Sequence, residues 1–261
     1  MKQRTLTGVV LALLSMVLLG CFHLPWVPQL IAILLGCGAV WEILGANGIR
    51  NKGSYAAGLF LAVIIPLFSL TEKVWWMSAA LVLGLGFFTY LMTRIGKQAP
   101  AWVAAPEIVL ALSLYRGLAC YGEIPHGAFF LCLTGLICAL TDIFAYLVGS
   151  RFGRRKLAPK VSPGKSIEGA LGGLGITVVL IVLVFGRFFD DIGTLVLYTA
   201  VVSILGQFGD LSMSAVKRVA GVKDFGHIFP GHGGILDRCD SLMYPLAFTW
   251  LLYCAQIWIF V

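Results

Sequence analysis

Residues 127–149 read GAFFLCLTGLICALTDIFAYLVG, an apolar run broken by a single charge at Asp142. A helix needs about 20 such residues to cross a bilayer. A carboxylate inside a run this long is costly unless it serves a function. Eight more apolar runs flank it, at about 7–22, 28–46, 55–71, 74–93, 101–121, 168–186, 192–210 and 242–260. The fifth in chain order, 101–121, also carries Glu107 and Arg116. The expected architecture is an all-α, polytopic integral membrane protein with about nine transmembrane helices.

Composition agrees. Of 261 residues, 59% are hydrophobic and 12% are charged, and mean hydropathy is +0.94. Soluble domains average about 45–50% apolar and about 25% charged residues. That excludes a soluble enzyme, a disordered chain and a collagen-like protein. The seven cysteines are scattered, with no C-x-x-C spacing, so neither a disulfide framework nor a zinc site is expected. At the N-terminus, Lys2 and Arg4 precede the run 6–19, and Leu18-Leu19-Gly20-Cys21 has the look of a lipoprotein cleavage box. Cleavage would leave a chain that is still mostly apolar, so an uncleaved first helix is the expected reading.

The charge distribution gives an orientation. With nine spans and a cytoplasmic N-terminus, sixteen of the nineteen basic residues fall on the cytoplasmic side. Lys73 and Arg187 alone lie in outer loops, and Arg116 sits within a span. This is the bias that the positive-inside rule describes, and it places the C-terminus outside. The net charge of +7 is then topological and substrate-directed, and no nucleic acid partner is expected. The chain divides into residues 1–125, with about five spans, and residues 126–261, a second transmembrane region with two cytoplasmic loops at 150–167 and 211–241.

Those loops carry the chemistry. Asp210, Ser214 and Lys217 stand at i, i+4 and i+7, one helical face. Asp237 and Asp240 stand three apart, which also places them together. Carboxylates on one face repel unless a cation lies between them, and oxygen-only ligands favour Mg²⁺ completed by water and substrate phosphates. Around them lie Arg218, Lys223, His232 among Gly231, Gly233 and Gly234, and Arg238. Read singly, the basic residues are topological anchors, the glycines and His232 are loop residues, and Asp237–Arg238–Asp240 is an ion-pair cluster. Four acids at an apolar border argue for more. The first loop holds Phe152-Gly153-Arg154-Arg155, then Ser162-Pro163-Gly164-Lys165-Ser166 and Glu168-Gly169. Gly169 and Gly173 form a small-xxx-small pair suited to helix packing.

Residues 214–240 resemble the signature of the phosphatidate cytidylyltransferases, or CDP-diacylglycerol synthases. The pattern is Ser-x-apolar-Lys-Arg, four residues, Lys-Asp, a Pro-x-His-Gly-Gly turn and Asp-Arg-x-Asp, and every fixed position is matched. Cys239 stands where an aliphatic residue or threonine is usual, and Met213 where many relatives carry glutamate. The run from Asp142 to Glu168 resembles the family's Asp-x-x-Ala-Tyr, Phe-Gly-Lys and Ser-Pro-x-Lys-Thr-x-Glu-Gly elements, with Arg154 and Ser166 as conservative departures. Shorter resemblances occur at Lys2-Gln3-Arg4 and Trp41-Glu42.

The resemblance implies conversion of CTP and phosphatidate to CDP-diacylglycerol and pyrophosphate, at the cytoplasmic face of the bacterial inner membrane. It implies catalytic roles for Asp210, Asp237, Asp240 and Lys217. Metal ligation falls to Asp210, Asp237 and Asp240, with Asp142 a lesser contributor. Substrate binding falls to Ser162, Lys165, Ser214, Arg218, Lys223, His232 and Arg238. Mg²⁺ is the implied cofactor, and a second, monovalent cation stays open, as does a homodimer. CTP, phosphatidate and membrane lipid are the implied partners. Two rivals stand beside this reading. One is a CTP-dependent kinase or cytidylyltransferase acting on another lipid; the other is a polytopic transporter relaying ions through Asp142 and Glu107.

Overall fold

The computed structural model describes residues 17–22, 24, 26–67, 83–84, 86–87, 90–91, 104–226, 228 and 233–255. Seven of the nine apolar runs fall mainly within them, and all seven are helical. They are α1 (Trp26–Ala46), α2 (Lys52–Leu67), α3 (Ala104–Cys120), α4 (Gly127–Phe152), α5 (Ile167–Phe185), α6 (Ile192–Val219) and, after the short α7 (Leu236–Cys239), α8 (Met243–Cys254). The runs at 7–22 and 74–93 lie largely outside the described residues. Among the described residues, four helices qualify as membrane spans by length and apolarity: α1, α4, α5 extended by its 3₁₀ turn to Phe188, and α6.

Exposure separates this bundle from a soluble one. Leu171, Leu183, Leu197 and Ile204 project from α5 and α6 and are more than half exposed. A water-soluble helix would carry polar groups there, whereas lipid accepts them. The protein is an integral membrane protein, and its helices meet through small and hydroxylated residues. Cβ atoms at Gly169 and Gly173 would crowd the backbone of Ala145 and Thr141, so α4 and α5 cross at close range, as the small-residue pair predicts. Thr141 donates to Ser203 Oγ at 2.9 Å, and Tyr198 shares hydrogen bonds with Thr134 at 2.8 Å and Thr249 at 2.9 Å. These tie α4, α6 and α8 together; such bonds average about 0.6 kcal/mol in membranes.

Local chemistry sets the helix starts. Ser166 caps α5 by accepting from the Gly169 N–H at 3.1 Å. Asp191 caps α6 by accepting from Gly193 and Thr194, each at 3.0 Å. Side-chain caps satisfy amides that have no partner within the helix.

Two expectations need revision. The stretch 150–167 is not simply a loop: it contains an antiparallel hairpin, β1 (Lys156–Ala158) with β2 (Ser162–Ser166), so the fold is nearly rather than wholly α. The stretch 211–241 begins as helix, because α6 runs on to Val219. The apolar run stops near 210, yet Lys217 and Arg218 in the last turn favour continued helix by lying at its negative end.

Candidate active site

The functional side chains converge where α4, β2, α6 and α7 meet. A cavity of about 490 Å³ lies between α4, the hairpin, α5 and α6. Asp142 and Tyr146 of α4, Lys165 of β2 and Gln207 and Asp210 of α6 are among the residues that line it. The Lys165 ammonium pairs with Asp210 Oδ2. Ser214, one turn further along α6, lies 3.4 Å from Asp210 Oδ1. The helical stripe of Asp210, Ser214 and Lys217 inferred from spacing is therefore real. It is also extended by a residue from the hairpin.

A second ion-pair group adjoins the first. Lys217 Nζ donates to Asp237 Oδ1 at 2.8 Å and lies 3.9 Å from Asp240 Oδ2. Its side chain and that of Asp237 are only 12% and 5% exposed, so neither can be left alone without a large desolvation cost. Asp237 Oδ2 accepts the N–H groups of Phe225 and Gly234, each at 3.0 Å. Asp237 thus folds the loop between α6 and α7 around itself. Gly233 adopts φ +81° at the turn, a conformation open to glycine and unfavourable for other residues.

Asp237 of α7 and Asp240, which caps its C-terminal end, titrate in opposite directions. Burial opposes ionisation of Asp237, but Lys217 and the two amides outweigh it and hold the carboxyl below its usual range. For Asp240, burial and then the charge of Asp210 push the carboxyl up to about 7, with Asp142 adding and Lys217 opposing. Asp142, Asp210 and Asp240 are therefore close enough to act on one another.

The donor set suits a hard divalent cation. Four carboxylates, Asp142, Asp210, Asp237 and Asp240, are offset by only two lysines within this cluster, Lys165 and Lys217. Among the described residues, no three acidic, histidine or cysteine side chains are gathered tightly enough to ligate one ion as they stand; the lysine ammoniums occupy the positions beside the carboxylates. Three of the roughly four lone-pair sites of Asp237 already accept hydrogen bonds, so most of the available oxygen belongs to the other three acids.

Other expected residues fall around the rim. Arg218 donates from Nε to the Val161 carbonyl at 3.1 Å, tying the hairpin turn to the end of α6. Ser162 opens β2 and is half-buried, while Lys223 and Arg238 are exposed. His232 lies outside the described residues. Sequence reasoning placed Glu168 in a motif but gave it no role; its carboxylate accepts from the Arg154 and Arg155 amides at 3.0–3.2 Å and secures the chain between α4 and the hairpin. It also left Glu42 of α1 without a role. That side chain is 2% exposed and reaches the loop at α7, and its signal was an acid alone in an apolar run.

Comparison with known proteins finds similarity over nearly the whole chain. The profile of the Cytidylyltransferase family matches residues 2–255. A phosphatidate cytidylyltransferase of Staphylococcus haemolyticus is 37% identical over 257 residues, covering 94% of this chain and 96% of that protein. One of Staphylococcus aureus strain COL is 35% identical at the same coverage, and one of Staphylococcus saprophyticus is 32% identical over 255 residues, again covering 94% and 96%. With the acids, lysines and cavity assembled where this match runs, the chain belongs to the cytidylyltransferase family.

Proposed function

We propose that the protein is a phosphatidate cytidylyltransferase, forming CDP-diacylglycerol and pyrophosphate from CTP and phosphatidate. The observation that carries this reading is the junction of the cavity between α4, the hairpin, α5 and α6 with a cluster of four aspartates and two lysines. A lipid phosphate needs access from the bilayer, a nucleoside triphosphate needs cationic and metal neutralisation, and the cluster offers both at one place.

In this mechanism an oxygen of the phosphatidate phosphate attacks the α-phosphorus of CTP in line. The new P–O bond forms as the bond from the α-phosphorus to the bridging oxygen breaks, and pyrophosphate leaves with the electron pair. The attacking phosphate is ionised near neutral pH, so no general base is required. Catalysis rests on positioning and charge neutralisation. Asp142, Asp210 and Asp240 would hold Mg²⁺, with Asp237 offering its remaining lone pair; when bound, the ion neutralises charge on the phosphates. Lys165 and Lys217 stand ready to exchange their carboxylate partners for phosphate oxygens. Ser162, Ser214, Arg218, Lys223 and Arg238 are assigned to the substrate-binding rim, and His232 to substrate binding on the strength of its motif alone. The cytoplasmic side of a bacterial inner membrane is where CTP and the basic loops would meet.

The test is an assay of purified protein with labelled CTP, phosphatidate and Mg²⁺. CDP-lipid and pyrophosphate should form together and cease on chelation of the metal. Asp237→Ala should abolish turnover by releasing Lys217 and the α7 loop. A lipid monophosphate with CDP as co-product would instead identify a lipid kinase. CDP-lipid formed only from another lipid phosphate would change the acceptor, and ion-gradient-dependent flux without nucleotide turnover would favour the transporter.

A further inference from the structure

Glu42 lies near the C-terminal end of α1, in the first half of the chain, far in sequence from every residue assigned a role above. Its carboxylate accepts the Ile235 N–H at 2.7 Å through Oε1 and the Leu236 N–H at 2.8 Å through Oε2. Leu236 begins α7, and Asp237 follows it directly. Those amides belong to the first turn of a helix and have no partner within it. Ile235, the residue that precedes α7, supplies no side-chain cap; the cap comes from Glu42 of α1.

The fit around Glu42 is close. A Cβ at Gly234 would overlap the carboxylate, and one at Gly226 would stand 2.6 Å from Oε1. Both glycines sit in the loop that wraps Asp237, so the loop descends onto Glu42 from two points. Ile235 also presses against Gly38, one turn earlier on α1. The contact fixes the height and rotation of α7. Those coordinates decide where Asp237 meets Lys217 and where Asp240 faces Asp210.

We propose that Glu42 is a positioning residue for the reaction: its carboxylate on α1 clamps the first turn of α7 and so sets the separation of the Asp237 and Asp240 carboxylates from α6. It touches neither substrate nor metal in this role. Its effect is transmitted through the backbone amides of Ile235 and Leu236. This inference rests on the assignment of the α7 acids to the metal and phosphate site.

Glu42→Gln keeps the shape but turns one of two acceptors into a donor aimed at an amide. Loss of such outer partners typically costs about 10–100-fold in metal affinity or activity. Full-length protein in detergent would be titrated with Mg²⁺ alone, following the rise in Tm, and assayed at saturating CTP. Glu42→Gln is expected to raise the Mg²⁺ midpoint and lower kcat by at least about tenfold, with little change in KM for phosphatidate. Gly234→Ala, which pushes the loop away while keeping the carboxylate, should reproduce the shift, and it serves as the test should Glu42→Gln not fold. A lower Tm with the wild-type Mg²⁺ midpoint and kcat would mean a structural contact only and would overturn the proposal. Asp237→Asn and Asp240→Asn separate the two levels. If they too keep the wild-type midpoint, the metal assignment falls; if they lose it while Glu42→Gln does not, only the role of Glu42 falls.

Discussion

Lys217 is held by two acids of opposite character, and this makes the site sensitive to single changes. Lys217→Met would leave Asp237 buried without its cation, which costs about 3–5 kcal/mol in comparable pairs. Denaturation in detergent should show a loss of that order, together with loss of turnover. The pH response follows from the two carboxyls. Asp237 is lowered in the fold, so its contribution is complete above the unfolded value near 3.9 and is lost as pH falls through its folded value. Asp240 is raised to about 7, so the folded protein keeps a proton that the unfolded chain releases. That contribution is complete below about 3.9 and is lost as pH rises through about 7. In metal-free buffer the stability of the wild type should therefore decline between pH 5 and 7 relative to Asp240→Asn. Parallel curves from the two proteins would count against a raised Asp240.

Among the elements, the crossing of α4 and α5 bears most directly on the cavity, since both helices line it. A Cβ at Gly173 would lie 2.7 Å from the Thr141 carbonyl oxygen and 2.9 Å from the Ala145 amide nitrogen. Gly173→Val should separate the helices, cost about 1–3 kcal/mol through overpacking and lower activity by displacing Asp142 from Asp210. Thermal unfolding and turnover measured together would check this. Such features differ in how far sequence alone reveals them. Long apolar runs display the helices directly, and the spacing of Asp210, Ser214 and Lys217 displays a helical stripe. The hairpin at Lys156–Ala158 and Ser162–Ser166 is hidden because its strands are short and carry no apolar alternation. The last turns of α6 are hidden because helix outlasts apolarity there. The role of Glu42 is hidden for another reason: its partners are backbone amides, and an amide leaves no trace in residue identity.

For the whole molecule, the orientation inferred from charge is open to direct measurement. In a background with the seven native cysteines replaced, a reporter cysteine at Lys160 or Lys223 should react with an impermeant maleimide in inside-out vesicles and resist it in right-side-out ones. The reverse pattern would invert the topology and separate the site from cytosolic CTP. The contact between Glu42 and Ile235 carries another consequence, for how the protein is made. Its partners stand 193 positions apart, and the acids on α7 come late in the chain. A nascent chain that has already inserted its cavity helices still lacks the clamped turn that carries Asp237 and Asp240. Assembly of the centre is therefore among the final events of biogenesis, after the enclosing bundle is in the bilayer. On the proposed assignment, a chain that ends before α7 lacks Asp237 and Asp240 and should turn over no nucleotide.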